Sequence, residues 1–512
     1  MVGALNANLA GSLWSTAHAR GAATAVVERG RESSYAALLA RAAAIAAALV
    51  GAGLDPDDRV AVLVDGASDA IAAFFGILAA GGIAVVLNEM LRHRQITHAL
   101  RDCGATLLLT SANLTAAGSL PSAVGLRTLL LDDIPAAGSF EPVTRLGADA
   151  AQIIYTSGST GQPKGVTVTH ANLAAATRAV TGYLGITSRD RIAGVLSFSF
   201  VYGMSQVLCA TATGAALVAG HSPFPADLVA ELRASRVSVL AAVPPLWLQV
   251  LDVPAFRAAP LPDLRIMTNA GGRLPVAAVR ALREAQPHAQ LFLMYGLTEA
   301  LRCTYLPAQE VDRHPDSIGR PIPGGSVLVL RDGVTPCVPG EVGELVYRGP
   351  TVTLGYWNDP EATARVFRPH PLRPAAAPAA ERVVFTGDLV RQDLEGLLYF
   401  VGRRDRMIKT LGYRVSPDEV AEVIHASGEV ADCVVVAEQD DLRGQRIVAH
   451  VVLATSGSLD RLKRHCGIEL PRYMQPARFE VRATLPRLPS GKHDLRAVTI
   501  ARAGSGAQAD AP

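Results

Sequence analysis

The stretch "YTSGSTGQPKGVTVTH", Tyr155–His170, sets glycines, serines, threonines and one lysine between two apolar segments. Backbone N–H groups in such a turn can converge on phosphate oxygens, the hydroxyls add donors, and the lysine adds charge. Its spelling excludes two familiar loops. The GxxxxGK[ST] pattern, counted from Gly158, requires glycine at 163, where Pro163 stands, and Lys164 is followed by Gly165. The GxSxG nucleophile turn also fails, because Thr160 lies two residues past Gly158. Taken alone, a Gly/Ser/Thr loop is more often a flexible connection than a binding site.

The flanks of the loop decide the fold class. Short apolar runs such as "RVAVLVDG", "IAVVL" and "ATLLLT" alternate with Ala-rich helical stretches, including "ASDAIAAFFGILAAGG" and "RHRQITHALRDCG". Continuous apolar strands joined by helices predict parallel sheets covered on both faces, an α/β architecture. After about residue 320 the texture changes, and "SVLVLRDG", "ELVYRG" and "VVFTGDLVRQDLEGLLYFVG" read as a smaller β-rich unit. "RPHPLRPAAAPAAER" reads as an exposed loop. A new strand and helix pattern begins near "GRRDRMIKTLGYRVSPDEV" and predicts a smaller, mobile α+β C-terminal domain. The expected organisation is a large domain over 1–404, a second over 405–502, and a disordered tail over 503–512.

Composition narrows the partners. A chain of 512 residues exceeds what a single core supports. With 18% charged residues, 49% hydrophobic residues and a formal net charge of +2, it shows neither a disordered composition nor a nucleic-acid field. Small molecules are the expected partners. Cysteines 103, 209, 303, 337, 433 and 466 form no CxxC pair, so reduced thiols in a cytoplasmic protein are expected, with no zinc site. The N-terminus has no basic region before an apolar run, so no export signal is expected. "YAALLARAAAIAAALVGAGL" is interrupted by Arg41 and reads as a buried or amphipathic helix, so no integral membrane segment is expected.

The opening loop does not stand alone. T-S-G-S-T-G-x-P-K-G is followed, in order, by "YGLTEA" at 295, "FTGDL" at 385, "GRRDRMIKTLGYRVSP" at 402 and "LPSGKHDL" at 488. Together these resemble the motifs of the adenylate-forming superfamily: acyl-CoA synthetases, luciferases and the adenylation domains of peptide synthetases. The resemblance covers roughly residues 10 to 500. It implies ATP-dependent, Mg²⁺-assisted conversion of a carboxylic acid to an acyl-adenylate with release of pyrophosphate. Transfer follows to the thiol of CoA, or to the phosphopantetheine of a separate carrier protein. Such chemistry develops negative charge on phosphate oxygens, so it calls for cations and fixed donors.

The resemblance also implies roles residue by residue. Thr156, Ser157, Ser159, Thr160 and Lys164 would hold the β- and γ-phosphates, with Gly158 and Gly161 allowing close backbone approach. Gly271, Gly272 and Arg273 of "NAGGRLP" would border the nucleotide. Tyr295 would stack on adenine, Thr298 would touch the α-phosphate, and Glu299 would bind Mg²⁺. Asp388 would accept from the ribose hydroxyls, and Arg403 and Arg414 would contact ribose or phosphates. Asp405 matches the hinge of domain rotation. Lys492 matches the lysine that contacts the carboxylate and α-phosphate, and Gly412 lies near the thiol tunnel. Read singly, each has a plainer meaning: a helix cap for Thr298 and Glu299, a turn for Asp388, solvent for Lys492.

For the substrate, "FSFVYGMSQ" puts Val201 where amino-acid-activating relatives carry an aspartate for the α-ammonium. A buried ammonium without a carboxylate is costly, so an acid lacking an α-amino group is expected. Phe198, Phe200, Val201, Tyr202 and Gly203 are candidate pocket walls, and equally ordinary core residues. Arg302 lies where the family lines its acyl pocket; it suits either a second polar or acidic group on the substrate or an internal salt bridge. The segment "TNAGGRLP…FLMYGLTEALRCTYLP…HPDSIGRPIPG" also resembles acyl ligases of bacterial exosortase and polysaccharide systems. Competing readings are a stand-alone amino-acid-adenylating enzyme that loads a carrier protein, a kinase, and a nucleotide-sensing pseudoenzyme.

Overall fold

The computed structural model describes residues 6–116, 126–156, 163–220, 222–373, 381–404, 407–440, 444–486 and 493–500. They cluster into two compact units. The first holds the chain up to Glu89, Ile96–Thr156 and Lys164–Arg404, whereas Met90–Gln95 and the chain from Asp405 onward belong to the second.

Two sheets build the first unit. In one, the described strands run in the order Gly355–Tyr356, Lys164–Thr169, Ala150–Thr156, Ile83–Val86, Arg59–Leu63, Leu107–Thr110, Arg127–Leu130. Pairing is parallel from Ala150–Thr156 outward to Arg127–Leu130. These are the continuous apolar runs of the sequence, and Leu107–Thr110 is buried at every position. Helices follow because the intervening Ala-rich segments carry good helix formers and a start signal. Ser34, for example, caps Tyr35–Gly51 by accepting from the Ala37 N–H, and Tyr35, Leu38, Ala42 and Ile45 of that helix are buried.

The other sheet is parallel through Thr24–Glu28, Ala216–Ala219, Arg191–Ala193, Val239–Ala242, Ile266–Asn269 and Gln290–Tyr295. It then turns antiparallel at Thr304–Leu306 and Ser317–Pro321. The β-rich strands Ser326–Arg331, Val342–Arg348, Arg382–Gln392 and Leu398–Arg403 continue from there. This region therefore extends the parallel sheet by hydrogen bonding, a connection that strand patterning could not show, because it is made by two short strands outside the β-rich run. The helices His170–Leu184 and Val201–Thr213 share one core with strands of both sheets, represented by Ile154, Val166, Ile192 and Leu217.

Gly203 fixes how the second of these helices starts. A Cβ at that position would lie 2.0 Å from the Ser197 carbonyl oxygen, so only glycine lets the segment before the helix fold against its first turn.

The second unit carries its own sheet, with Tyr413–Val415, Ile408–Thr410, Gly444–Leu453 and Val430–Asp440 in that order and Arg478–Val481 parallel to Gly444–Leu453. Leu411 and Gly412 hold φ of 52° and 80°, a two-residue turn whose left-handed backbone matches strand twist. Helices Pro417–Ala426 and Leu459–Glu469 bury Val420, Ile424, Leu462 and Cys466 in the same core as Val435, Ala449 and Val451. His493 approaches both carboxylate oxygens of Asp432, at 2.9 and 3.0 Å. The six cysteines are free thiols, all but Cys337 buried, and no described helix is long and apolar enough to cross a membrane.

Candidate functional site

The Gly/Ser/Thr segment between Thr156 and Lys164 is stemmed by a hairpin. Thr156 and Lys164 are register partners in the antiparallel pair Ala150–Thr156 and Lys164–Thr169. Gly355–Tyr356 pairs with the outer side of the second strand, at Thr167 and Val166, and the Trp357 N–H donates to the Gly165 carbonyl at 2.7 Å. That third strand brings Tyr356 and Asp359 to the lysine. Lys164 Nζ stands 3.0 Å from Asp359 Oδ2 and 5.3 Å from the Tyr356 ring centre. Asp359 Oδ1 meanwhile accepts from the Ala362 N–H at 2.8 Å and so caps the helix Pro360–Val366. Desolvation would raise the Asp359 pKa, but the Ala362 N–H and Lys164 outweigh it and hold the carboxyl below the usual range.

Thr298–Ala300 is a single 3₁₀ turn at the end of the strand Gln290–Tyr295. Glu299 in it is 3% exposed. Its backbone carbonyl accepts from the Thr353 N–H at 3.1 Å and the Thr353 hydroxyl at 3.0 Å, and its Oε1 accepts from the Tyr356 hydroxyl at 2.7 Å. Thr298, Glu299, Tyr356 and Lys164 thus form one neighbourhood assembled from two sheets.

A second polar group lies along the β-rich strands. Asp388, 1% exposed, accepts from the Tyr295 hydroxyl at 2.5 Å and from the Arg403 guanidinium. Arg382–Gln392 and Leu398–Arg403 make this possible, because Asp388 and Arg403 are register partners. Burial, and after it the Asp388 charge, hold the Tyr295 phenol well above its ordinary pKa. Each carboxylate oxygen has more than one acceptor site, so Asp388 keeps capacity for a further donor.

The segment 269–273 follows the strand Ile266–Asn269. Gly271 holds φ of 82°, and the buried Asn269 donates from Nδ2 to the Gly272 carbonyl at 3.0 Å, while its Oδ1 is a buried acceptor without a donor. Arg273 is exposed, 3.8 Å from Asp316.

A small cavity is lined by Gln152, Thr177, Val201, Ser205, Leu301 and Arg302, together with several apolar side chains. Val201 and Arg302 therefore face one space. Tyr202 points elsewhere: its hydroxyl donates to the Thr268 carbonyl at 2.9 Å, and burial pushes the phenol up to about 12. Phe200 is the N-cap residue of Val201–Thr213, without a side-chain cap, and Phe198 packs against the shared core.

Residues 13–357 match the AMP-binding enzyme family, and residues 419–492 match the AMP-binding enzyme C-terminal domain. The chain belongs to the AMP-binding enzyme family, the adenylate-forming superfamily. Novobiocin biosynthesis protein H of Streptomyces niveus is 33% identical over 94% of the chain and 81% of its own length. Tyrocidine synthase 3 of Brevibacillus parabrevis is 31% identical over 91% of the chain, which spans only 7% of that protein's length. Among solved structures, o-succinylbenzoate CoA synthetase from Bacillus subtilis, bound with a product analogue, matches with a TM-score of 0.84. It is 25% identical over 95% of this chain and 97% of that one.

Within this AMP-binding enzyme the sequence-expected residues fall into three groups. Lys164 and Glu299, near each other through Tyr356, make one; Tyr295, Asp388 and Arg403 make the second; Val201 and Arg302 the third. Ser157, Gly158, Ser159, Thr160, Gly161, Asp405 and Lys492, and the side chain of Arg414, lie outside the described residues. Sequence reasoning missed Tyr356, Asp359 and Gln152. "NDPEAT" carried a signal, since Asp-Pro marks a helix start, but nothing in it pointed 195 positions back to Lys164.

Proposed function

We propose that the chain activates a carboxylic acid with ATP, forming an acyl-adenylate and pyrophosphate, and then transfers the acyl group to a thiol of CoA or of carrier-protein phosphopantetheine. A carboxylate oxygen forms the new bond to the α-phosphorus as the bond to pyrophosphate breaks. In the second step the thiol sulfur takes the acyl carbon and AMP leaves. The acyl-CoA synthetase type of ligase is the finer assignment.

The observation that carries the reading is the joint placement of Lys164 and Glu299 around Tyr356. A cation suited to phosphate oxygens and a buried carboxylate suited to a hard metal ion stand in one neighbourhood, and Lys164 ends the hairpin stem at Thr156. The donor set suits Mg²⁺: the described residues hold no cluster of three His, Cys, Asp or Glu, and Mg²⁺ is commonly held by one or two carboxylates together with substrate phosphates. Glu299 would hold the ion, which when bound offsets phosphate charge. Lys164 would hold the β- and γ-phosphates with Thr156. Thr298 would donate to the α-phosphate, Asp388 would accept from ribose, and Asn269 Oδ1 would accept from the nucleotide. Lys492 is assigned the reacting carboxylate, Arg403 and Arg414 the nucleotide, and Asp405 the hinge.

The amino-acid reading is disfavoured by the cavity: its described lining holds no carboxylate for an ammonium and does hold Arg302. The test is pyrophosphate release across a panel of carboxylic and amino acids, with and without CoA. Release of AMP and pyrophosphate with simple acids is expected. ADP as product, or no pyrophosphate with any acid, would overturn the assignment.

A further inference from the structure

Arg302 is 4% exposed, yet among the described residues no carboxylate lies within ion-pair distance of it and no acceptor takes a hydrogen bond from its side chain. Its Nε is buried without a partner, and the guanidinium instead lies 5.0 Å from the face of Tyr202. Burying a charge without a counter-charge or acceptor is among the most costly arrangements a fold can hold. A ring face answers only a small part of that cost. The arrangement is therefore explained by something that arrives from outside the chain.

Two further features show that the place is built. Gln152, on the strand that leads into the phosphate loop, is 1% exposed, lines the same cavity, and leaves its Oε1 buried without a donor. Leu301, also in the lining, holds φ of 51° and ψ of −66°, a sparsely populated backbone that a residue other than glycine adopts only when its surroundings impose it. That turn directs the residue after it, Arg302, to the cavity wall three positions beyond Glu299. The remaining wall is mostly apolar, from Ile154, Leu173, Val180 and Leu208, with Ser205 and Thr177, whose hydroxyl donates to the Leu173 carbonyl.

The cavity is about 20 Å³, room for a water or two and far below the size of a pocket that encloses a whole ligand. It fits the end of a short substrate. We propose that the acid activated here is a short aliphatic acid carrying a second carboxylate at its far end. Arg302 pairs with that carboxylate, and Gln152, by turning its amide, donates to it. The guanidinium fork matches a carboxylate in two parallel hydrogen bonds, which neither a hydroxyl nor an alkyl end reproduces. The inference rests on the adenylation reading of the same site, and it names the class of acid.

The experiment is pyrophosphate release by the full-length protein with succinate and glutarate, with their half-amides, and with butyrate and valerate. The expected result is a kcat/KM for the diacid at least about 10-fold above those of its half-amide and of the monoacid, the scale of one charge-assisted pair. Arg302→Gln should lower the diacid value by about 100-fold, mainly through KM, so that the diacid loses its advantage over the half-amide. A wild-type enzyme that prefers monoacids or half-amides overturns the proposal whether or not the variant folds. Activity with monoacids alone sinks only this inference, whereas no pyrophosphate from any acid sinks the adenylation reading itself.

Discussion

The Tyr356 hydroxyl donates to Glu299 Oε1 across 2.7 Å while the same ring lies under the Lys164 ammonium. One side chain thus orients the residue assigned to the metal and the residue assigned to the terminal phosphates. Tyr356→Phe keeps the ring and removes the donor. The loss of one hydrogen bond to a charged group should lower kcat for acid-dependent ATP–pyrophosphate exchange about 10-fold. The Mg²⁺ concentration for half-maximal rate should rise several-fold, with little change in thermal midpoint. Unchanged rate and Mg²⁺ dependence would remove Tyr356 from any positioning role.

Asp359 pairs with Lys164, the residue assigned to the terminal phosphates. The pair is partly exposed, 13% and 36% at the two side chains, so it contributes at most about 1 kcal/mol. Asp359→Asn preserves the cap of Pro360–Val366, because asparagine caps as well as aspartate. With the lysine released, the KM for ATP should fall about 3-fold, within that ceiling. Asp359→Ala loses the cap too, and should unfold about 1 kcal/mol more easily in urea. A higher KM for ATP in the asparagine variant would mean that the ion pair holds Lys164 in its working position.

How much of this was legible before the fold was known depends on the range of the interaction. The parallel strands Arg59–Leu63, Ile83–Val86 and Leu107–Thr110 were readable because a strand buried on both faces must be apolar throughout. Val201 and Arg302 were singled out by motif resemblance, and their common position in the lining of one cavity comes from the fold. Tyr356 and Asp359 were not readable. Their roles come from strand register against Lys164–Thr169, and a two-residue strand carries no periodicity. Gln152 was hidden for another reason: it interrupts an apolar strand, and a sequence does not say whether a buried amide is satisfied.

Asp388 and Arg403 form a buried ion pair, their side chains 2% and 9% exposed. Removing one partner of such a pair leaves a charge in low dielectric. Asp388→Asn should therefore destabilise the chain by about 3 kcal/mol or more in urea, besides weakening ATP binding. Tyr295→Phe removes only a neutral donor, and should cost about 1 kcal/mol. A double-mutant cycle of Asp388→Asn with Arg403→Met measures the coupling directly. Additive losses would show that the pairing of Asp388 with Arg403 contributes no net stability.

His170 gives the fold a pH limit on the acid side. It is buried at the start of His170–Leu184, and its Nδ1 accepts from the Leu9 N–H at 3.1 Å, which requires the neutral ring. Burial first, and Arg145 second, push its pKa down from 6.5 to about 4, against the opposing pull of Asp149 and Asp57. The unfolded chain therefore binds the proton more readily than the native one. Stability from the neutral ring is complete above about pH 6.5 and declines as pH falls to about 4, by roughly 3 kcal/mol in total. His170→Asn retains an acceptor near Nδ1 and abolishes the titration. Urea midpoints of the variant should fall less steeply than those of the wild type between pH 6.5 and 4.5. Parallel curves for the two proteins would assign the acid sensitivity to carboxylates elsewhere.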